Sequence, residues 1–260
     1  MLGETMAAKI AKLYVLTGSH PCAAVEAVLL MKGIAYERVE LLPITPLLIG
    51  PLRYGGTTVP GLRIEGERLV GSRTIMHRLD QMVPDPPLYP PAGEQAYARV
   101  LEAERWGSDV FQAVPRRLID AAFTRSPASM ESYAGDTKLL LPRALLRPAL
   151  PLTARLMAIK NGAGDDSARA DLAALPRQLE RIDAWVTEGL LGGDRPNGAD
   201  LQIGSSIRLL LSIGDVRPLL EGRPATGLTR YFPSLPGEVP SGVLPPDWLP
   251  AAASLSATVS

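Results

Sequence analysis

Apolar and polar positions over residues 12–82 change their period several times, and each change marks an element. Lys12-Leu13-Tyr14-Val15-Leu16 is a short β-rich run that stops at Thr17-Gly18. Pro21 suits the first turn of a helix, where its missing N–H costs no hydrogen bond. Ala23 to Lys32 then reads as helix, with Val25, Val28, Leu29 and Met31 apolar and Gly33 as the stop. Tyr36 to Leu41 returns to strand character, so the order is β-α-β and a right-handed parallel crossover is expected. Pro43, Pro46, Pro51 and Gly55-Gly56 punctuate what reads as an irregular connection. Leu62 and Ile64 on one side of Glu65-Gly66-Glu67, and Leu69 and Val70 on the other, predict an antiparallel hairpin. A helix follows from Ser72 to Met82, with Ile75, Met76, Leu79 and Met82 at core-facing spacing.

Pro84-Asp85-Pro86-Pro87 and Pro90-Pro91 form a stiff linker, because proline restricts its own dihedral and that of its predecessor. It closes a first domain of residues 10–83. From Glu94 to about Leu220 the pattern is helical throughout. Leu101 to Ile119 carries Trp106, Val110, Phe111, Val114 and Leu118, and Leu172, Leu175, Leu179, Ile182 and Val186 recur at steps of three and four. Asn197-Gly198-Ala199-Asp200 has the form of a capping box opening a helix over Leu201 to Ile213, with Asn197 as cap and Asp200 reaching back. A second, all-α domain of residues 94–232 is thus expected, followed by a tail, 233–260, whose prolines and small residues fit either a docked extended segment or disorder. The fold class is α/β followed by all-α.

Composition narrows the function more than the fold. Of 260 residues, 46% are hydrophobic and 21% charged, ordinary for a globular chain that can bury a sizeable core. Twenty-seven basic residues balance twenty-seven acidic ones, which argues against nucleic acid or a membrane as partner of the whole chain, since both are held by a surplus of Lys and Arg. Cys22 is the only cysteine, and His20 and His77 the only histidines. No intramolecular disulfide or all-thiolate site can form, no metal is expected, and a reducing cytoplasm fits. Glu4, Lys9 and Lys12 interrupt the start, so it does not read as a secretory signal, and Met6 is a possible alternative start. The apolar stretch Leu139 to Ile159 is broken by Pro142, Arg143, Arg147, Pro148, Pro151 and Arg155, too often to span a bilayer.

Three short segments carry the candidate chemistry: Ser19-His20-Pro21-Cys22 at a strand-to-helix turn, Thr58-Val59-Pro60 before a strand, and Gly71-Ser72 opening a helix. A β-α-β unit, a Val-Pro before a hairpin, a Ser-opened helix, a proline linker and a helical second half, in that order over residues 10 to 220, resemble the soluble glutathione S-transferase superfamily. The resemblance implies a thioredoxin-like first domain, a transferase-type helical second domain and a homodimer. It also implies glutathione or another low-molecular-weight thiol as co-substrate, and a small apolar electrophile as the molecule attacked or isomerised.

Backbone N–H groups at a helix start stabilise an anion such as a thiolate, and the Ser19 hydroxyl can donate to it. By the resemblance Ser19 is the residue that activates the thiol; by the residues alone it equally fits a plain helix cap. The tyrosine used by other classes falls on Val15, and Tyr14, facing the other side of the strand, reads as structural. Cys22 falls on the second position of a glutaredoxin-type dithiol, yet a buried small apolar role is the commoner fate of a free cysteine. His20 is expected in solvent. The resemblance makes Val59-Pro60 a cis peptide whose backbone pairs with a peptide-like ligand, against an ordinary trans proline at a strand edge. Ser72 would meet the glutamyl carboxylate, and Gly71 stands where the family carries an acid or amide, which puts glutathione itself in question. The electrophile is expected between the domains, walled by Tyr97, Trp106, Val110 and Phe111, with the stretch from Ser126 to Asp166 shaping that pocket or a dimer surface. The leading expectation is a transferase, with a detoxifying role. Its alternatives are a non-catalytic binding protein on the same fold and a thiol-disulfide reductase acting through Cys22.

Overall fold

The alternation of residues 11–70 builds one four-stranded mixed sheet. The computed structural model describes residues 10–135 and 143–250. In it β1 (Ala11–Leu16) pairs in parallel with β2 (Tyr36–Leu41), and α1 (His20–Met31) makes the crossover. The prolines of residues 42–56 do not exclude helix: α2 (Thr45–Arg53) forms there, contrary to the irregular connection expected. Pro46 lies in its first turn, where no donor is required, and only Pro51 sits inside. β3 (Gly61–Ile64) and β4 (Glu67–Val70) complete the order β2-β1-β3-β4, with β3 antiparallel to both its neighbours. Glu65 and Gly66 take φ of 49° and 88°, the left-handed pair that matches a hairpin turn to the twist of its strands.

β1 is buried on both faces, by Leu13 and Val15 on one and Tyr14 on the other. α3 (Ser72–Met82) packs beside α1 and buries Ile75, Met76 and Leu79. The buried Lys32, just past α1, donates from Nζ to Asp80 Oδ1 at 2.7 Å, to Val83 O at 2.6 Å and to Pro86 O at 2.9 Å. All three ammonium protons are used, so burial leaves none of the donors unsatisfied. The chain divides into two units between Pro86 and Pro87.

In the second unit the long helix expected from Leu101 to Ile119 is interrupted. α4 (Gln95–Trp106) passes through a π-helical turn, Gly107–Phe111, into α5 (Ala113–Arg125), and Gln112 N–H donates to Gly107 O at 2.8 Å. The break lets Pro115 fall in the first turn of α5. The short helices α6 (Met130–Tyr133) and α7 (Arg143–Leu146) precede α8 (Leu150–Asn161), α9 (Asp165–Thr187) and α10 (Gly198–Leu211). α9 buries Leu172, Leu175, Leu179 and Ile182, and α10 is buried almost all round. Gly107, just past α4, lies close against α10: a Cβ there would stand 2.7 Å from Ile203 Cγ1.

The capping box forms as the sequence predicts. Asn197 Oδ1 accepts from Ala199 and Asp200 N–H at 2.9 and 3.0 Å, and Asp200 Oδ2 accepts from Asn197 N–H at 2.9 Å. Of the two possibilities for the tail, docking holds for residues 233–250. Ile213 and Val239 form a bridge, Leu244 and Trp248 are buried, and Asp215 accepts from the N–H groups of Gly242, Val243 and Leu244. Residues 1–9, the Leu139–Pro142 part of the apolar stretch and residues 251–260 lie outside the described residues.

Asn197→Ala removes the cap acceptor and is expected to lower the unfolding free energy by about 1–2 kcal/mol, read by urea denaturation. Burial pushes the Asp120 carboxyl from 3.8 to about 6, outweighing the hydrogen bond from Asn161 Nδ2. A native pKa above the unfolded value means that the native state binds the extra proton between those two values, so this group's contribution falls as pH rises from about 4 to about 6. The stability of Asp120→Asn relative to wild type should therefore grow by about 2 kcal/mol between pH 4 and pH 7. A difference that stays flat over that range would show an ordinarily titrating carboxyl.

Candidate functional site

Sheet register brings the three candidate segments to one end of the first unit. β3 runs against both β1 and β4, pairing Tyr14 with Gly61 and Gly61 with Val70. The carboxyl end of β1, the start of β3 and the carboxyl end of β4 therefore coincide, and the loops leaving them carry Ser19, Val59-Pro60 and Gly71-Ser72. Gly71 N–H donates to Pro60 O at 2.9 Å and ties the second loop to the third. Both α1 and α3 begin here, so two helix N-termini present their N–H groups at the same end.

Ser19 occupies the cap position of α1, and its N–H donates to Leu16 O at 3.0 Å across a turn in which Gly18 takes φ 78°. Its side chain makes no capping bond to the helix. The half-buried hydroxyl is hydrogen-bonded instead to the Cys22 thiol. That disposes of the plain cap in this conformation and places a hydroxyl between a buried thiol and the loop end. Cys22 is buried, and burial pushes its thiol up to about 12 despite the Ser19 hydrogen bond and one to the Leu16 backbone. It is a neutral S–H throughout the physiological range, the packed role rather than the nucleophilic one. His20, expected in solvent, is only 3% exposed. The first turns of α1 are buried on every side, from His20 through Val25, and such a helix carries no amphipathic stripe to read.

The Val59-Pro60 peptide is cis, as is Asp85-Pro86, which no reading of the sequence singled out. Ser72 is buried at the first position of α3, and Gly71 before it takes φ 88° and ψ 138°. That backbone region is nearly closed to residues with a Cβ, so the glycine is matched to its conformation and an acidic side chain there would be strained.

Tyr54 is the residue here that sequence reasoning missed. It is fully buried, its ring lies 5.0 Å from that of Tyr14, and it fills space that side chains at Gly50 and Gly61 would otherwise take. A Cβ on Gly61 would come within 2.2 Å of the Tyr54 ring, and one on Gly50 within 2.7 Å of its hydroxyl. Among the described residues that hydroxyl has no hydrogen-bond partner, and burial raises it to about 12. The sequence signal was there: a lone tyrosine flanked by Gly50, Gly55, Gly56 and Gly61. Tyr14 is structural, as expected.

Of the residues expected to wall a second pocket, Phe111 belongs to the helical core with no exposure, and Trp106 stacks on it at 5.3 Å. Val110 is exposed and Tyr97 half-buried. Tyr97 and Trp106, nine residues apart on α4, fall on opposite sides of that helix, and beyond it Val110 is exposed while Phe111 is buried, so the four do not form one face. Among the described residues no group of three or more His, Cys, Asp or Glu side chains is placed to hold a metal ion, and no helix is long and apolar enough to cross a membrane.

Native protein at pH 8 is expected to leave Cys22 unlabelled by iodoacetamide, while urea-unfolded protein labels fully, as read by intact-mass spectrometry. Rapid labelling of the native chain would show an accessible thiolate instead.

Residues 13–87 match the family described as glutathione S-transferase, N-terminal domain. No curated protein matches the sequence. Solved structures share the fold at low identity. A glutathione S-transferase from Sinorhizobium meliloti is 16% identical, with 90% of this chain and 97% of that one covered at a TM-score of 0.57. A beta-etherase from Sphingobium sp. is 17% identical, with 85% and 93% covered at 0.61. Poplar glutathione transferase F1 is 16% identical, with 86% and 91% covered at 0.53. The first unit is thus thioredoxin-like and matches the glutathione S-transferase N-terminal domain family, and a helical unit follows it in the fold that these structures share.

Proposed function

We infer that the protein is a glutathione S-transferase-like enzyme that binds a low-molecular-weight thiol, glutathione first among them, and activates its thiolate against a small apolar electrophile. The observation that carries this reading is the convergence of Ser19, Val59-Pro60 and Gly71-Ser72 at the sheet end where α1 and α3 begin. A thiolate at this end meets the positive ends of two helices and one hydroxyl not spent on capping. The Ser19 hydroxyl, hydrogen-bonded to the neutral Cys22 thiol in this structure, turns its proton to the bound sulfur when the ligand thiol is present. Donation to the charged form lowers the pKa of the thiol and raises the fraction poised to attack. The Val59 backbone pairs with the peptide-like part of the thiol, and Ser72 with its carboxylate. Isomerisation or ether cleavage through the same thiolate belongs to this reading. The bond formed is carbon to sulfur, and the leaving group or shifted double bond takes the electron pair.

Gly71 limits the reading at one point, because the acid or amide that would meet the amino group of a glutamyl ligand is replaced by a glycine in a conformation suited to glycine. Thiols lacking that amino group are therefore to be tested beside glutathione. The reductase reading loses support from the burial of Cys22. The proposed setting is a homodimer in a reducing cytoplasm with a detoxifying role, supported by the resemblance and by the single buried cysteine.

Ser19→Ala is expected to lower kcat/KM for conjugation of an aryl halide by roughly ten- to a hundredfold, the worth of one hydrogen bond to a charged atom. It should also shift the acid limb of the pH profile upward, toward the free-thiol value near ~8.5. Cys22→Ala should retain most of the activity. Retention on a glutathione matrix with no conjugation in the wild type would favour the binding-protein alternative, and loss of activity only in the Cys22 variant would favour the reductase.

A further inference from the structure

α8 is amphipathic the wrong way round. Its inward face is made of Ala154 and Ala158, whereas Leu152, Leu156 and Ile159 stand outward, 62%, 40% and 77% exposed. Leu145 of α7 adds a fourth large apolar side chain, also exposed. A helix that turns its small residues to the core and its large ones to water leaves unburied the area that usually drives packing. The helix is nonetheless fixed. It packs on α5, Asn161 Nδ2 donates to Asp120 Oδ2 at 2.7 Å, and Gly162 ends it in a left-handed cap at φ 65°.

The charged residues of α8 and of the turn before it have one sign. From Ala144 to Gly164 the chain holds Arg147, Arg155 and Lys160 and no Asp or Glu. Arg147 is bonded to Glu131 at 2.8 Å, while Arg155 and Lys160 are exposed on the same helix as the outward leucines. Large apolar groups with basic side chains on long stems beside them suit the boundary between acyl chains and anionic headgroups. There the apolar groups enter the lipid and the cations reach the phosphates. We propose that the outward face of α8, with Leu145, docks the protein peripherally on an anionic lipid surface. The zero net charge of the whole chain, which argues against a membrane partner, averages away this local excess. The length and hydropathy that a spanning helix would need are not required, because the helix lies in the interface plane. A second copy of the chain fits less well. A two-fold contact sets the patch against itself, and this one brings Arg155 and Lys160 with no carboxylate on α8 to answer them.

The test is co-sedimentation of the full chain with vesicles of phosphatidylcholine alone, and with vesicles of equal parts phosphatidylcholine and phosphatidylglycerol. Binding is expected to the mixed vesicles only, with release as salt is raised. Leu152→Ser/Leu156→Ser/Ile159→Ser is expected to weaken it roughly tenfold or more, with an unchanged circular dichroism spectrum because the three side chains are exposed. Should that variant misfold, Arg155→Glu/Lys160→Glu decides alone and should abolish the preference for anionic vesicles. The proposal is overturned if the wild type does not pellet, if it pellets equally with both vesicles, or if the charge-reversal variant binds like wild type. It is equally overturned if light scattering shows a dimer that the serine variant dissociates while vesicles fail to pellet the wild type. None of these readouts depends on thiol chemistry.

Discussion

The hydrogen bond from Gly71 N–H to Pro60 O holds together a site whose parts lie more than fifty residues apart in the chain. It continues the β3–β4 ladder one step beyond the Gly61–Val70 pair, so it exists only if β3 is antiparallel to β4. β3 in turn lies against β1 through Tyr14 and Gly61, and that pairing sets the Ser19 loop beside Pro60. A slip of one residue in either register would turn the side chains of β3 to the opposite face and take the Val59-Pro60 segment away from both neighbours. Gly61 is central because it pairs with strands on both sides while leaving room for the buried ring of Tyr54.

Burial sets the chemistry of the groups around this frame, and it does so against local hydrogen bonds. Cys22 receives a bond from Ser19 and another from the Leu16 backbone, yet its thiol rises, because no water reaches it to stabilise the charge. Asp200 accepts from the N–H groups of Gly192 and Asn197 at 2.7 and 2.9 Å, and burial still raises it to about 6. The buried Lys32 ammonium meets a carboxylate and two carbonyls. For Asp200 the two N–H groups offset only part of the desolvation of the carboxylate.

Much of the fold was legible. The β-α-β unit, the hairpin at Glu65-Gly66 and the helix from Ser72 rest on local period and turn chemistry. The capping box at Asn197 rests on four consecutive residues. Each is decided by neighbours in the chain, so each could be read from it. α2 was not legible because three prolines read as breakers, and a helix with proline in its first turn gives the same letters. The break at Gly107–Phe111 was hidden because one inserted residue leaves the apolar spacing nearly intact. The inverted face of α8 was read only as a broken apolar stretch, since periodicity shows that large and small residues alternate but not which side meets the protein.

The sequence by itself determined the β-α-β unit, the hairpin and the capped helix at Asn197, that a single cysteine can form no intramolecular disulfide, and the three segments of the candidate site. Only the tertiary structure decided that those segments meet, that Ser19 turns its hydroxyl to Cys22 rather than to its own helix, that His20 is buried and that Tyr54 fills the gap left by two glycines. The reason is the range of the forces involved. Turn, cap and period preferences act between residues a few positions apart, whereas burial and sheet register are properties of residues brought together from distant parts of the chain.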